Sequence, residues 1–449
     1  MSTQPATPPA PIDRATPTDA YETGLRLLPV RALQYASLFL AGLVVARALG
    51  PAARAQYALP LTLVSAVWVV VHLSLDDVAG RMLGRGQATL PQLSRLLSAA
   101  TIPVSVVGAL ASLGLGIAVR NESLAGASPL VIALATATVP AAVVYQMTGG
   151  LLLRIGRIRL FTWTLAAQAV VQLAGVAALQ VGLGLTPALA LLGLLGGYVV
   201  ADAALVRGLA RHVGWRGLLP GVPPGLPGRA LRTASGLHPG TLCNYLNYRI
   251  DLLLVGTLVS ARQAGLYSLS TALAELVLAG TTALNQAVIA DQTALAPQEA
   301  VRATLAFVRR TLKLVLGAAA LLCVGAYPFV LVVYGPAWAG SVPALMILTV
   351  AAIAPAIAGP FNVMLARLIR PATLSAAAAS GLLVNVVANL LLIPRLGIAG
   401  AALASVASYW SWSIVLMVLF ARATGTSPLN LLFARAQAPH AAAAGVIRG

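Results

Sequence analysis

Charged and amide side chains are rare in the long apolar stretches of this sequence, and the few that occur there are the candidates for chemistry. The densest group is Asn244, Tyr245, Asn247, Tyr248, Arg249 and Asp251, immediately ahead of the apolar run Leu252-Leu253-Leu254-Val255. At helical spacing Asn244, Asn247 and Asp251 share one face, while Tyr245 and Arg249 lie together on an adjacent one. An ionisable group in hydrocarbon is costly, so this helix must border a polar cavity or another polar helix. With a rise of ~1.5 Å per residue, Arg249 lies roughly 16 Å into its span, near the bilayer midplane. Glu275 reaches similar depth in the next span. Two readings follow: an Arg249 to Glu275 ion pair, or a guanidinium that matches the oxygens of an anion such as phosphate. Both hold if the anion displaces the carboxylate.

Weaker candidates flank this group. Arg26 and Arg31, at the start of the first apolar span, either extend a basic cavity mouth or anchor the helix end. His72 and Asp76 close the second span at i and i+4, which fits proton coupling or a hydrogen-bonded helix terminus. No catalytic constellation accompanies them: the sequence has no metal-spaced His/Cys cluster and no phosphate-cradling Gly loop with Lys. Cys243 and Cys323 are too few and too far apart for a disulfide framework or a metal site. We therefore expect no enzyme activity, no cofactor and no metal.

The elements that position these residues must be membrane helices. Of 449 residues 59% are hydrophobic and 9% charged, against about 25% charged in soluble proteins. Apolar spans fall at 27–48, 57–79, 97–119, 128–153, 160–183, 187–206, 238–260, 264–290, 311–334, 341–366, 372–393 and 397–421, each near the ~20 residues that cross a bilayer. The fold class is an all-α polytopic membrane protein with about twelve helices. Arginines crowd one set of connections, while the other set holds Arg47, Arg54, Arg120, Arg262 and Arg395. By the positive-inside rule both termini are cytoplasmic and the protein is multi-pass in the cytoplasmic (inner) membrane. Because the basic residues are strung between spans, the pI of 11.2 reports topology and implies no nucleic-acid partner.

The chain is expected to divide into a disordered cytoplasmic tail (1–26), an N-lobe of helices 1–6 (27–206), a cytoplasmic basic linker (207–237), a C-lobe of helices 7–12 (238–421) and a cytoplasmic tail (422–449). Setting Tyr57 against Tyr267 matches Ala46-Arg47-Ala48-Leu49 with Val255-Gly256-Thr257-Leu258, which suggests a parallel repeat of six helices. Prolines within spans, Pro103, Pro140, Pro328, Pro343, Pro355 and Pro360, would loosen or kink helices.

Several segments resemble the polysaccharide biosynthesis (Wzx-type oligosaccharide) flippases of the multidrug/oligosaccharidyl-lipid/polysaccharide exporter superfamily. The most specific is Asn247-Tyr248-Arg249-Ile250-Asp251-Leu252-Leu253-Leu254-Val255-Gly256, followed by Ala264-Gly265-Leu266-Tyr267-Ser268-Leu269-Ser270 and Ala272-Leu273-Ala274-Glu275. Ala48-Leu49-Gly50-Pro51 with Tyr57-Ala58-Leu59 is similar to the family's first hairpin. Asn385, Leu391-Leu392-Ile393-Pro394 and Gly397-Ile398-Ala399-Gly400-Ala401-Ala402 are similar to its last two helices. Ala55-Gln56 departs from a commonly Gly-containing pattern.

The resemblance implies two six-helix lobes around a central cavity with alternating access, and a lipid-linked oligosaccharide on polyprenyl diphosphate as cargo. It further implies membrane lipids and other polysaccharide biosynthesis proteins as partners, with Asn244, Tyr245, Asn247 and Tyr248 as sugar or headgroup contacts. A cation-coupled multidrug exporter of the same superfamily is the alternative, and a membrane-embedded glycosyltransferase or ligase a more distant one. The first span lacks the buried carboxylate expected of the exporter.

Overall fold

The computed structural model describes residues 17–276 and 297–426, and all regular elements among them are helical. The N-lobe comprises α1 (Pro17–His72), α2 (Leu75–Gly84), α3 (Leu90–Ala118), α4 (Arg120–Ser123), α5 (Pro129–Arg154), α6 (Ile158–Leu183) and α7 (Pro187–Gly217). The C-lobe comprises α8 (Leu226–Asn247), α9 (Ile250–Leu258), α10 over 261–276, α11 (Pro297–Phe329), α12 (Val342–Leu368), α13 (Pro371–Leu396) and α14 (Ile398–Thr424). Among the described residues nine helical stretches are long and apolar enough to cross a membrane. The first of them bends at Gly50, whose φ of 67° suits glycine, and so supplies two spans. The seventh span is split between α8 and α9. The eighth begins as α10, and its expected continuation to residue 290 lies outside the described residues. About twelve spans result.

Local signals set the helix starts. Thr89 and Gln92 form a capping box at α3, and the hydroxyls of Ser128 and Thr186 accept from Val131 and Leu189, each ahead of a proline that opens α5 or α7. Lipid explains the outer surface: Leu321 is 76% exposed and Val324 83%, an arrangement that water would not tolerate along whole helices. Packing then defines the lobes. In the first, α1 lies on α6, α6 on α7, and α5 on both α7 and α3. In the second, α14 is covered by α12 and α13, and α8 lies on α13.

The segment 207–237 is helical over most of its length, with α7 continuing to Gly217 and α8 starting at Leu226. The physical reason is visible in α8, where Leu226, Ala230 and Ala234 form a buried stripe at a spacing of four while Arg229 and Arg232 stay exposed. Of the two expected tails, residues 1–16 and 427–449 lie outside the described residues, whereas 17–26, expected to be disordered, form the start of α1, and 422–424 continue α14.

The lobes meet tightly at the end of the bundle that carries the bend at Gly50 and the turn at 259–260, called here the hairpin end. Gly265 lies directly under the Pro51 carbonyl, where any Cβ would collide with its oxygen. At Gly256 a Cβ would lie 2.6 Å from the Ser123 carbonyl oxygen. Such small residues let backbones approach closely between membrane helices. Hydrogen bonds among the described residues join the seal: Thr257 Oγ1 donates to Ser123 Oγ at 3.0 Å, Arg47 Nη2 to the Val332 carbonyl at 3.0 Å, and Arg54 Nε to Ser268 Oγ at 3.0 Å. At the opposite end α2 meets α8, where Ser74 Oγ lies 3.2 Å from His238 Nδ1.

Within the C-lobe a buried polar hub ties α9 to its neighbours. Asp251, 1% exposed, accepts from Tyr267 Oη at 2.6 Å, Ser405 Oγ at 3.1 Å and its neighbour's backbone Leu252 N at 2.7 Å. Asn247 accepts from Ser408 Oγ at 2.5 Å, and its carbonyl accepts from Asn385 Nδ2 at 3.0 Å. Asp251→Ala leaves two hydroxyls in a dry site, with an expected loss on the order of 3 kcal/mol. Thermal melting of the purified protein in detergent should fall accordingly, with Asp251→Asn in between. An Asp251→Ala protein that melts like the wild type would show that the hub carries no stability.

Candidate functional site

A cavity of about 490 Å³ lies between the lobes beneath the hairpin-end seal. Its N-lobe wall comes from the second half of α1 with α5 and α7. Its C-lobe wall comes from the α8–α9 junction and α10. Charged side chains in the described wall are Arg54, Arg249 and Glu275.

The junction between α8 and α9 orients the C-lobe wall. Tyr248 N and Arg249 N bond to the carbonyls three residues back, Tyr245 and Leu246, so the helix tightens and breaks before restarting at Ile250. Tyr245 and Arg249 line the cavity, while Asn247 and Asp251 point into the C-lobe hub. Arg249 forms a fork with Glu275, Nη1 to Oε1 at 2.7 Å and Nη2 to Oε2 at 3.4 Å. The two side chains remain 35% and 40% exposed. The pair is thus formed and open to the cavity, which makes the carboxylate exchangeable for another anion.

The other sequence candidates are spread out. Tyr248 packs against Tyr409 with ring centroids 4.9 Å apart and planes tilted by 57°, and Asn244 is half-buried outside the cavity wall. Arg31 donates to Gln34 Oε1 at 3.2 Å and Arg26 is exposed; neither belongs to the wall. His72 ends α1, and two residues with positive φ, Leu73 and Ser74, separate it from α2, so His72 and Asp76 do not share a helix. They meet nonetheless, His72 Nε2 lying 3.1 Å from Asp76 Oδ1. The contact reaches the cavity indirectly: Gln146 Nε2 donates to Asp76 Oδ2 at 2.9 Å, Trp68 stacks on His72 at 4.8 Å, and both Gln146 and Trp68 line the wall.

Arg54 requires a correction. The sequence reading placed it in a connection between spans, whereas it is 7% exposed inside α1 and faces the cavity, because the helix resumes directly after the bend at Gly50. Its face was readable: Arg54, Tyr57, Leu61, Ser65 and Trp68 recur at intervals of three and four, and all line the cavity. Tyr145 and Tyr198, edge to face at 5.9 Å, complete an aromatic N-lobe wall that single residues in apolar spans had not announced.

Comparison with known proteins agrees with this architecture. A family described as polysaccharide biosynthesis protein matches residues 44–343, well over half of the chain and all of the cavity wall. No curated protein shows significant sequence similarity. Among solved structures, a multidrug resistance MATE family transporter of the MOP superfamily is similar in its outward-facing form, with TM-score 0.68, 13% identity and coverage of 93% of this chain and 98% of the other. Its inward-facing form gives TM-score 0.65, 13% identity and coverage of 87% and 96%. A MOP superfamily transporter from Pyrococcus furiosus, whose binding pocket is described as having reverse polarity, gives TM-score 0.68, 13% identity and coverage of 94% and 98%. The chain therefore has the fold of the MOP superfamily transporters and belongs to the polysaccharide biosynthesis protein family.

Proposed function

We propose that this protein is a flippase that carries a lipid-linked oligosaccharide on polyprenyl diphosphate across the cytoplasmic membrane by alternating access. The carrying observation is the charge of the cavity: its described wall holds two guanidiniums and one carboxylate, and Arg249 presents there a fork that a cargo anion can take over. A diphosphate oxygen can take the place of Glu275 on that fork. The tyrosines and Trp68 offer flat faces and polar edges suited to a sugar chain. Family membership supports polysaccharide biosynthesis as the setting. On this reading the protein is a transporter rather than an enzyme, the hairpin end faces outward and the termini lie in the cytoplasm.

The second reading, a cation-coupled multidrug exporter, is favoured by the MATE transporters among the similar structures. The excess of guanidinium over carboxylate in the wall disfavours cationic drugs.

Deleting the gene is expected to stop surface delivery of one glycan and to leave its lipid-linked precursor on the cytoplasmic side, read by extraction and mass spectrometry of the lipid fraction. Loss of precursor synthesis, with export of a supplied precursor intact, would favour an enzyme instead. Reporter fusions test the topology: alkaline phosphatase should be inactive after Gly228 and active near Arg262, and the reverse pattern overturns the orientation.

The Arg249 fork gives the third test. Because the pair is more than a third open to the cavity, solvent screening limits its structural worth to about 1 kcal/mol. Arg249→Ala and Glu275→Gln should therefore accumulate as folded protein. Glycan delivery should be lost in Arg249→Ala and partly kept in Arg249→Lys, where the charge survives without the planar fork. Full delivery by a stably expressed Arg249→Ala protein removes this residue from the mechanism.

A further inference from the structure

We propose that Arg54 is a second anion-binding residue of the cavity, which takes a phosphate group of the cargo, and that the same guanidinium latches the hairpin-end seal until that phosphate arrives. This rests on the reading of the cargo as a diphosphate-linked lipid.

Arg54 is 7% exposed, yet its hydrogen bonds and ring contact among the described residues are all to neutral groups. Nε donates to Ser268 Oγ at 3.0 Å, Nη1 donates to the Gly42 carbonyl at 3.2 Å, and the guanidinium carbon lies 5.8 Å from the centre of the Trp338 ring. A guanidinium carries five N–H donors, so most of its donor capacity has no acceptor among the described residues. Arg249 at the same cavity has Glu275, whereas Arg54 has no carboxylate partner among the described residues. A buried cation held only by dipoles and a ring, with its free edge on a cavity wall, is arranged for an anion that comes and goes. Phosphate oxygens supply the missing acceptors and the missing charge together.

The contacts of Arg54 also place it at the seal. Gly42 belongs to the first half of α1, Arg54 to the second half beyond the bend at Gly50, and Ser268 to α10 of the other lobe. Ser268 Oγ in turn donates to the Gly265 carbonyl at 2.7 Å, and Gly265 is the residue beneath Pro51 where the lobes approach most closely. A phosphate that draws the guanidinium into the cavity thus loosens the lobe-to-lobe bond at Ser268 and the tie across the α1 bend in one movement. Arg249 would meet the cargo first at mid-depth, and Arg54 would receive it at the sealed end.

The test uses the full chain in lipid nanodiscs with three probes: polyprenyl diphosphate, the corresponding polyprenyl alcohol and inorganic pyrophosphate. The wild type is expected to bind the diphosphate lipid far more tightly than the alcohol. Arg54→Gln should weaken diphosphate binding by about tenfold or more, while Ser268→Ala, which removes the bond that the phosphate has to break, should not weaken it. Seal closure is read from disulfide formation between Ser123→Cys and Thr257→Cys, in a background where Cys243 and Cys323 are serine, since the two native hydroxyls lie 3.0 Å apart. The diphosphate lipid should lower that cross-linking with Arg54 present and leave it unchanged in Arg54→Gln.

Equal diphosphate affinity in well-folded Arg54→Gln, or equal loss of cross-linking, overturns the proposal and reduces Arg54 to a structural clamp. If Arg54→Gln fails to fold, Arg54→Lys with normal melting should bind several-fold more weakly, and wild-type affinity there overturns it. Arg54-dependent binding of pyrophosphate without binding of the lipid keeps the anion site but rejects the lipid cargo. Arg54-independent binding of the lipid keeps the cargo and rejects the site.

Discussion

Hydrocarbon offers no hydrogen bonds, so each polar side chain in a membrane bundle must either find a partner or face a cavity that holds water or ligand. The seventh span meets both demands within a few residues. Its tightened turn at Tyr248 and Arg249 sends Asn247 and Asp251 into a hydrogen-bonded hub against Tyr267, Ser405 and Ser408, and turns Tyr245 and Arg249 to the cavity. The hub fixes α9 against α10 and α14, and that anchorage holds the arginine in place. Without it, the break in the helix would leave backbone groups and an ionised side chain to drift in lipid.

Hydropathy made the spans legible because their length is dictated by the bilayer, and Arg249 and Glu275 were legible because ionisable residues at mid-span have few possible explanations. What stayed hidden depended on backbone detail. No glycine or proline marks the break at Tyr248 and Arg249, so a continuous helix was the natural reading. His72 and Asp76 carry helical spacing, yet Leu73 and Ser74 adopt positive φ and the contact forms around a corner instead. Arg54 was hidden by position: three residues after Pro51 it looks like part of a turn, but Pro51 opens a helix as readily as it ends one. A stripe count along 54–68 would have exposed it, whereas the facing aromatics Tyr145 and Tyr198 come from separate helices and only packing joins them.

Alternating access, as proposed, requires the seal at the hairpin end to part and close again. Its tightest approaches are backbone against glycine, at Gly265 with Pro51 and Gly256 with Ser123, and its described polar links are few. Contacts of this kind depend on dispersion over short distances and vanish after a small separation. Lipid tails can then cover the parted helices at little cost, since hydrocarbon is as apolar as the surfaces they replace. Small residues at the seal therefore leave few specific contacts to break, which on the proposed reading lets a bound cargo shift the balance between two states.

The unequal treatment of the two cavity arginines follows from the same energetics. If both guanidiniums had carboxylate partners, the cavity would be neutral and an arriving anion would gain only by exchange. If neither had one, the empty cavity would hold two uncompensated cations in a membrane, and neighbouring spans would rearrange to neutralise them. The structure takes the intermediate course. Arg249, with its partner and more than a third exposed, can be uncovered at small cost because cavity water screens both charges. Arg54, deeper under the seal, is steadied by a hydroxyl, a carbonyl and the Trp338 ring, none of which cancels its charge. The uncompensated positive charge of the described wall thus lies beside the seal, and on the proposed reading it would draw an anionic cargo toward that end.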